Sequence, residues 1–79
     1  MALPTIEERL KTVIASQLGI EERSITVDSN FVDELELDSL DVVELIMNVE
    51  EEFDLEIRDS DVEHILTFGN ALDYLIEKL

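Results

Sequence analysis

Apolar residues recur at the three- and four-residue spacing of one helix face in three separate segments of this chain. The first segment predicts a helix over about 5–18. Thr5 and Glu8 have the spacing of a capping box at its beginning. Gly19 follows its end, where helices often finish in the left-handed conformation. With only two glycines and one proline in 79 residues, few turns are marked, and the pattern favours an all-α fold.

Two more long helices and one short helix are expected further along the chain. A helix over about 39–53 has Asp38 as its N-cap. A short helix is expected over about 59–65, and the last helix begins near Thr67 and runs to the end. The expected architecture is a small four-helix bundle with three longer helices and one short one, formed by residues 1–79 as one domain. The apolar face of the last helix would comprise Phe68, Leu72, Leu75, Ile76 and Leu79.

Residues 19–38 are predicted to be a long connection between the first and second helices, because their apolar side chains keep no sustained period. Such a loop is unusual unless its own side chains pin it or it carries function. Phe31 and Leu35 are spaced to form one turn of helix that packs inward. The segment 25–27 has the composition of a strand, but a lone strand has nothing to pair with.

The chain is strongly acidic, with 21 acidic and five basic residues and a formal charge of −16. Nucleic acids and anionic lipids both require Lys and Arg, so neither is an expected partner. Basic partners are favoured instead, and the like charge favours a monomer. The acids are concentrated in residues 28–63, which hold 15 of them and one base, Arg58.

Several kinds of site are excluded by residues that the sequence lacks. Without cysteine there is no disulfide, no cysteine nucleophile and no thiolate metal site, and one histidine cannot form a multi-histidine metal site. The acids also lack the mid-loop glycine and the ligand order of an EF-hand calcium loop, so no metal site is expected. No targeting segment and no apolar run of about 18 residues is visible, so a cytoplasmic location without a membrane span is expected. His64 is expected at the surface, and Tyr74 at the edge of the core with its hydroxyl in solvent.

The predicted helix over 39–53 carries two apolar stripes. One is typical of a core and comprises Val42, Leu45, Ile46, Val49 and Phe53. The second lies about 140° away around the helix and comprises Leu40, Val43 and Met47. It is either more core or an exposed docking strip, and the acids that flank it favour the docking strip.

Ser39 follows Asp38 at the beginning of this helix. Because Asp38 can cap the helix, Ser39 is left in the first turn with its hydroxyl toward solvent. The positive end of the helix dipole favours an anion there, such as a phosphate ester. No base is arranged to activate Ser39 as a nucleophile. Ser39 is therefore predicted to be modified by another enzyme, and the chain itself is not expected to be an enzyme.

The residues around Ser39 form a longer motif. Residues 38–45 are Asp-Ser-Leu-Asp-Val-Val-Glu-Leu, and residues 50–53 are Glu-Glu-Glu-Phe. In an acidic chain of this length, the combination resembles the acyl carrier protein family. The likeness extends over essentially the whole chain.

The resemblance implies a cofactor and a set of partners. A phosphopantetheinyl transferase would attach 4′-phosphopantetheine from coenzyme A to Ser39, between Asp38 and Leu40. The thiol of the cofactor would hold acyl intermediates as thioesters during fatty acid or related acyl-chain biosynthesis. Synthases, reductases and transferases with basic patches would dock on the second helix. The resemblance places that contact at Leu40, Asp41, Val43, Glu44, Met47, Glu50 and Glu51. An acyl chain could withdraw among Phe31, Leu35, Val42, Ile46, Val49, Ile57, Ile65 and Ala71.

One departure from the family pattern lies next to Ser39. The family usually has Gly-Ala before the Asp-Ser-Leu motif, whereas this chain has Glu36 and Leu37. Glycine adopts positive φ without cost and glutamate does not, so the backbone here is either ordinary or slightly strained. A carrier dedicated to a specialised pathway, such as polyketide synthesis or another acyl transfer, is therefore an alternative. An acidic binding module that acts unmodified is a second alternative, and a small hydrolase that uses Ser39 is a third.

Overall fold

The structure is a computed structural model that describes residues 3–31 and 36–79. Within these residues the chain forms four α-helices and one short 3₁₀ helix, which confirms the all-α bundle. The helices are α1 (Ile6–Leu18), α2 (Ser39–Phe53), α3 (Asp59–Val62) and α4 (Phe68–Lys78), with the 3₁₀ helix at Glu22–Ser24 between α1 and α2. α1 packs against both α2 and α4.

Capping boxes begin the three longer helices. The box at Thr5 and the N-cap at Asp38 were predicted, and the box at Thr67 lies where the last helix was expected to begin. At α1 the amide of Glu8 donates to Oγ1 of Thr5 over 3.1 Å, and Gly19 ends the helix with a φ of 67°. At α4 the amide of Asn70 donates to Oγ1 of Thr67 over 3.1 Å. Each box satisfies amides that have no partner inside the helix. The predicted beginnings of these helices are therefore correct to within one residue.

α3 is shorter than predicted, because it ends at Val62 rather than at 65. The chain then tightens into a turn in which the amides of His64 and Ile65 donate to the carbonyls of Asp61 and Val62, each over 3.0 Å. Ile65 is buried all the same. The sequence therefore predicted correctly that Ile65 is buried, but wrongly that it belongs to the helix.

The core lies between α1, α2 and α4 and includes residues from the connections. Its buried apolar members are Leu10, Ile14, Ala15, Ile25, Phe31, Leu37, Leu45, Val49, Phe53, Ile57, Ile65, Phe68, Ala71 and Leu75. The predicted face of α4 is wrong at its end, since Ile76 and Leu79 are more than half exposed. The buried face follows Phe68, Ala71 and Leu75, and a residue directly after Leu75 points about 100° away from it.

The connection between α1 and α2 is pinned to the beginning of α4 by backbone hydrogen bonds. The amides of Phe68 and Gly69 donate to the carbonyls of Ser29 and Val27, each over 2.9 Å. Those two amides belong to the first turn of α4 and have no partner within the helix. The connection therefore acts as part of the cap of α4. These backbone bonds pin the long loop in place. The helical turn predicted from Phe31 to Leu35 falls on residues 32–35, which lie outside the described residues.

The connection and α4 approach each other closely at Gly69. A Cβ atom added at Gly69 would lie 2.9 Å from the carbonyl oxygen of Val27. In an ordinary helix, replacing Gly by Ala raises the free energy of unfolding by about 1 kcal/mol. Here we expect Gly69→Ala to lower it by about 1–3 kcal/mol, because two hydrogen-bonded backbones must move apart. Urea denaturation measures the difference.

The control for this prediction is Gly19→Ala. Nothing lies within 4 Å of a Cβ atom at Gly19, and only its left-handed backbone with a φ of 67° opposes alanine. We expect a loss of about 1 kcal/mol there, from the backbone alone. A Gly69→Ala protein that is as stable as the parent would show that the approach of Val27 is not a constraint.

Candidate functional site

Ser39 is the first residue of α2, and the cap of that helix decides its environment. The amide of Asp41 donates to Oδ1 of Asp38 over 2.9 Å, and the amide of Asp38 donates to Oδ2 of Asp41 over 3.4 Å. Because Asp38 is the N-cap, the hydroxyl of Ser39 is not needed for capping. Ser39 is exposed. The predicted exposure of Ser39 is thus confirmed.

Within the described part of the chain, the Ser39 hydroxyl is not hydrogen-bonded to a base. His64 is exposed and belongs to the turn after α3. Among the described residues, no hydrogen bond joins the Ser39 hydroxyl to a histidine, a lysine or a carboxylate. A serine without an activating base is a weak nucleophile. The site is therefore suited to accept a group that another enzyme delivers.

Two adjoining apolar pockets lie between α2 and α3 and begin at Ser39. The first has a volume of about 450 Å³ and is lined by Leu37, Asp38, Ser39, Val42, Val43 and Val62. The second has a volume of about 380 Å³ and is lined by Val43, Ile46, Met47, Glu50, Ile57, Asp59 and Val62. Val43 and Val62 line both pockets, so the two form one surface depression, which we call the α2–α3 cleft. Val62 is the residue of α3 that both pockets share.

The predicted lining for an acyl chain agrees with this cleft only in part. Val42, Ile46 and Ile57 line it. Phe31, Val49, Ile65 and Ala71 are buried in the core instead, and Leu35 lies outside the described residues. The sequence reasoning did not assign Leu37 and Val62 to the lining. Helical spacing shows which residues are apolar together, whereas the packing of α3 decides which of them face a cleft.

The second apolar stripe of α2 is exposed, so the interpretation of it as more core is wrong. Leu40, Val43 and Met47 are 67%, 52% and 55% exposed. Glu44 and Glu51 on the same helix are exposed as well. Together they form a strip of apolar side chains bordered by acids, which we call the α2 strip. Exposed apolar residues grouped in this way are typical of an interaction surface.

Two acids that the resemblance assigns to docking also have partners within the chain. Oε2 of Glu50 accepts a hydrogen bond from the amide of Ile57 over 2.8 Å, and Glu50 is half-buried. Asp41 completes the capping box of α2 with Asp38. The carboxylates of Glu50 and Asp41 therefore also support the local structure. Glu44 and Glu51 are the acids of α2 on which a charge can be changed with the least disturbance.

Glu36 stands where the family usually has glycine, and its backbone is strained rather than ordinary. Its φ is 55°, in the left-handed region that glycine adopts freely. For a residue with a Cβ atom this conformation costs about 1–2 kcal/mol. The conformation is held by the following residue, because the amide of Leu37 donates to the carbonyl of Phe31 over 3.0 Å and the side chain of Leu37 is buried. The strained alternative is therefore the correct one, and it delivers Leu37 to the wall of the cleft beside Ser39.

Tyr74 packs against the edge of the core, as predicted, and its hydroxyl also has a partner within the chain. The hydroxyl donates a hydrogen bond to Oδ2 of Asp61 over 2.8 Å, which joins α4 to α3. Burial raises the pKa of Tyr74 above its ordinary value, and the hydrogen bond to Asp61 and the charge of Asp61 raise it further. Nothing in the helical pattern of α4 predicts this bond, because its partner lies in a different helix.

The geometry described above can be compared with known protein families. The family model described as a phosphopantetheine attachment site matches residues 8–75. This chain belongs to that family. The resemblance found in the sequence is therefore confirmed. A domain of this family is a carrier to which 4′-phosphopantetheine is covalently attached, and such carriers generally work with a phosphopantetheinyl transferase and partner enzymes and are not catalytic themselves.

The residues of this carrier fit the cofactor. A phosphodiester requires an accessible hydroxyl, and Ser39 is exposed at the positive end of a helix dipole. The apolar walls of the α2–α3 cleft begin at the same residue. None of the described helices of the carrier is long and apolar enough to cross a lipid bilayer.

The raised pKa of Tyr74 is a property that titration can measure directly, since the carrier has one tyrosine and no tryptophan. We expect the ultraviolet absorbance of the phenolate to appear with a pKa above 10.0. In Asp61→Asn the amide oxygen can still accept the hydrogen bond but carries no charge, so the pKa should move back toward the ordinary value.

The same shift predicts how stability depends on pH. The folded state raises the pKa of Tyr74 above that of the unfolded chain. The stabilisation that Tyr74 contributes is thus fully present below the unfolded pKa and is lost as the pH rises through the folded pKa. The difference in unfolding free energy between the carrier and Tyr74→Phe should shrink over that alkaline range. A phenolate that titrates at or below the ordinary value would contradict the prediction.

Proposed function

We propose that the Ser39 hydroxyl is the attachment point of 4′-phosphopantetheine, and that the protein carries acyl intermediates in fatty acid or related acyl-chain biosynthesis. The observation that carries the proposal is an exposed, unengaged serine at the capped beginning of α2, within the part of the chain that matches the family. Once attached, the cofactor supplies a thiol on a flexible arm, which is the acyl-bearing group.

The residues around Ser39 support attachment by another enzyme. As the Ser39 oxygen bonds to a phosphorus of coenzyme A, the pyrophosphate bond at that phosphorus breaks and adenosine bisphosphate leaves. The Ser39 oxygen also loses its proton, and no base of the described chain is hydrogen-bonded to it, so the transferase has to accept that proton. The resulting phosphodiester is an anion, and it benefits from the positive end of the α2 dipole. The capping box holds the negative charge of Asp38 beside Ser39, and this charge partly offsets the benefit. A basic patch on the transferase is needed to counter it.

The α2 strip supports docking of partner enzymes. Leu40, Val43 and Met47 offer apolar contact area, and methionine adapts to differently shaped partners. The surrounding acids favour partners with basic residues, because opposite charges accelerate the encounter. Screening by salt keeps such contacts weak and reversible. A carrier that visits several enzymes in turn needs this reversibility.

A carrier dedicated to one specialised pathway is a second candidate function. Leu37 supports it, because a buried leucine lines the cleft beside Ser39 where the family usually has alanine. A bulkier wall leaves less room next to the attachment point and would suit a narrower range of acyl groups.

Intact mass measurement tests the attachment. After incubation with a phosphopantetheinyl transferase and coenzyme A, the parent protein should gain the mass of one phosphopantetheine group, and Ser39→Ala should gain nothing. Ser60→Ala is the matched control, because Ser60 is also an exposed serine in the first turn of a helix, and it should be modified like the parent. An unmodified parent, or a mass gain that survives Ser39→Ala, would refute the proposal.

The docking surface is tested by reversing one charge on α2. Glu44→Lys should slow the transferase reaction at low salt by about three- to tenfold, since it removes an attraction and adds a repulsion. Glu77→Lys makes the same change in net charge at an exposed position of α4 and should have little effect. Added salt should reduce the difference between them. Equal rates for the two variants would show that net charge, rather than the α2 strip, governs recognition.

A further inference from the structure

α3 is the least supported α-helix of the described chain. It has four residues, no side-chain cap and no buried residue. Isolated helices of this length are not stable by themselves. Its position must therefore be decided by contacts with the neighbouring helices.

The cleft depends on where α3 lies. Val62 is half-buried and lines both pockets, facing Val43 of α2 across the cleft. A small displacement of α3 would move Val62 and change both pockets together.

Two hydrogen bonds fasten this part of the chain to the longer helices. Glu50 of α2 holds the segment before α3 through the amide of Ile57 over 2.8 Å. Tyr74 of α4 holds α3 itself, through the 2.8 Å bond to Asp61. Asp61 is the neighbour of Val62 in the sequence, so the second bond acts directly on the residue that lines the cleft.

Tyr74 is well placed to act as a fixed anchor. It belongs to α4, which is secured in the core by Phe68, Ala71 and Leu75. The ammonium group of Lys78 lies 5.4 Å from the centre of the Tyr74 ring, a distance at which a cation is attracted to the ring face. The side chain of Tyr74 is therefore positioned by α4, which is buried in the core. α3 has no buried residue of its own that would position it.

We propose that Tyr74 is a positioning residue for the cargo, which holds Val62 as the outer wall of the α2–α3 cleft through its hydrogen bond to Asp61. The inference rests on the proposed function, and it adds that the acyl chain withdraws into the α2–α3 cleft. When the bond is present, the wall closes on the chain and shields the thioester from solvent. When the bond is lost, α3 opens more readily and exposes the thioester.

Hydrogen exchange on the protein without cofactor tests the anchor. The amides of His64 and Ile65 report on α3, because they donate to the carbonyls of Asp61 and Val62. Tyr74→Phe keeps the ring and removes the hydroxyl, and we expect these two amides to exchange about three- to tenfold faster. Asp61→Ala should behave in the same way. Asp61→Asn keeps an acceptor oxygen and should restore most of the protection. Unchanged exchange in Tyr74→Phe would overturn the proposal.

The cargo is tested on the protein loaded with an octanoyl group. Cleavage of the thioester by hydroxylamine should be severalfold faster in Tyr74→Phe than in the parent. Thr12→Val is the matched control, since it removes the hydrogen bonds of the Thr12 hydroxyl on α1 to the carbonyl of Glu8 and to the carboxylate of Glu22 in the 3₁₀ helix. It should change neither the cleavage rate nor the exchange of the two amides.

The outcomes separate this inference from the proposed function. A parent protein that cannot be loaded at Ser39 refutes the proposed function. If the parent is loaded and Tyr74→Phe is cleaved at the same rate or more slowly, the proposed function stands and the role of Tyr74 is refuted. Faster cleavage that also appears in Thr12→Val would likewise refute it, because general destabilisation would then be the cause.

Discussion

The burial of one face of α2 is the constraint on which the rest of this structure depends. Leu45, Val49 and Phe53 are buried against the other helices, and this fixes the rotation of α2 about its axis. Leu40, Val43 and Met47 are then turned outward by the same rotation. The capping box of Asp38 begins the helix one residue before Ser39. One packing choice therefore exposes both the serine and the strip of apolar side chains beside it.

The acidity of the chain adds a cost that the core must offset. A core of this size supplies only about 3–5 kcal/mol of net stability, and a charge of −16 reduces it by self-repulsion. One basic side chain links α1 to α2. Arg9 of α1 forms an ion pair with Glu52 of α2 over 3.0 Å and lies 4.5 Å from the centre of the Phe53 ring. The acids of the α2 strip have few such partners, which suits a surface that is to meet basic groups on other proteins.

The sequence predicted the beginnings of the longer helices better than the shape of the site. Thr5, Asp38 and Thr67 were identifiable because each bonds an amide only three residues away. The end of α3 was predicted wrongly, because Ile65 is buried from a turn. The hydrogen bond from the Tyr74 hydroxyl was not predicted at all, because its acceptor Asp61 lies 13 residues away and in another helix.

The sequence by itself determined that the chain is helical, where its longer helices begin, and that Ser39 lies exposed at the beginning of α2. Those properties follow from caps and periodicity, which act over one or two turns of a helix. Only the tertiary structure decided that Glu36 adopts a left-handed backbone, that Leu37 and Val62 line the cleft, and that Tyr74 donates a hydrogen bond to Asp61 of α3. Each of these depends on contacts between separate elements. The spacing of residues along the chain does not show which elements will come into contact.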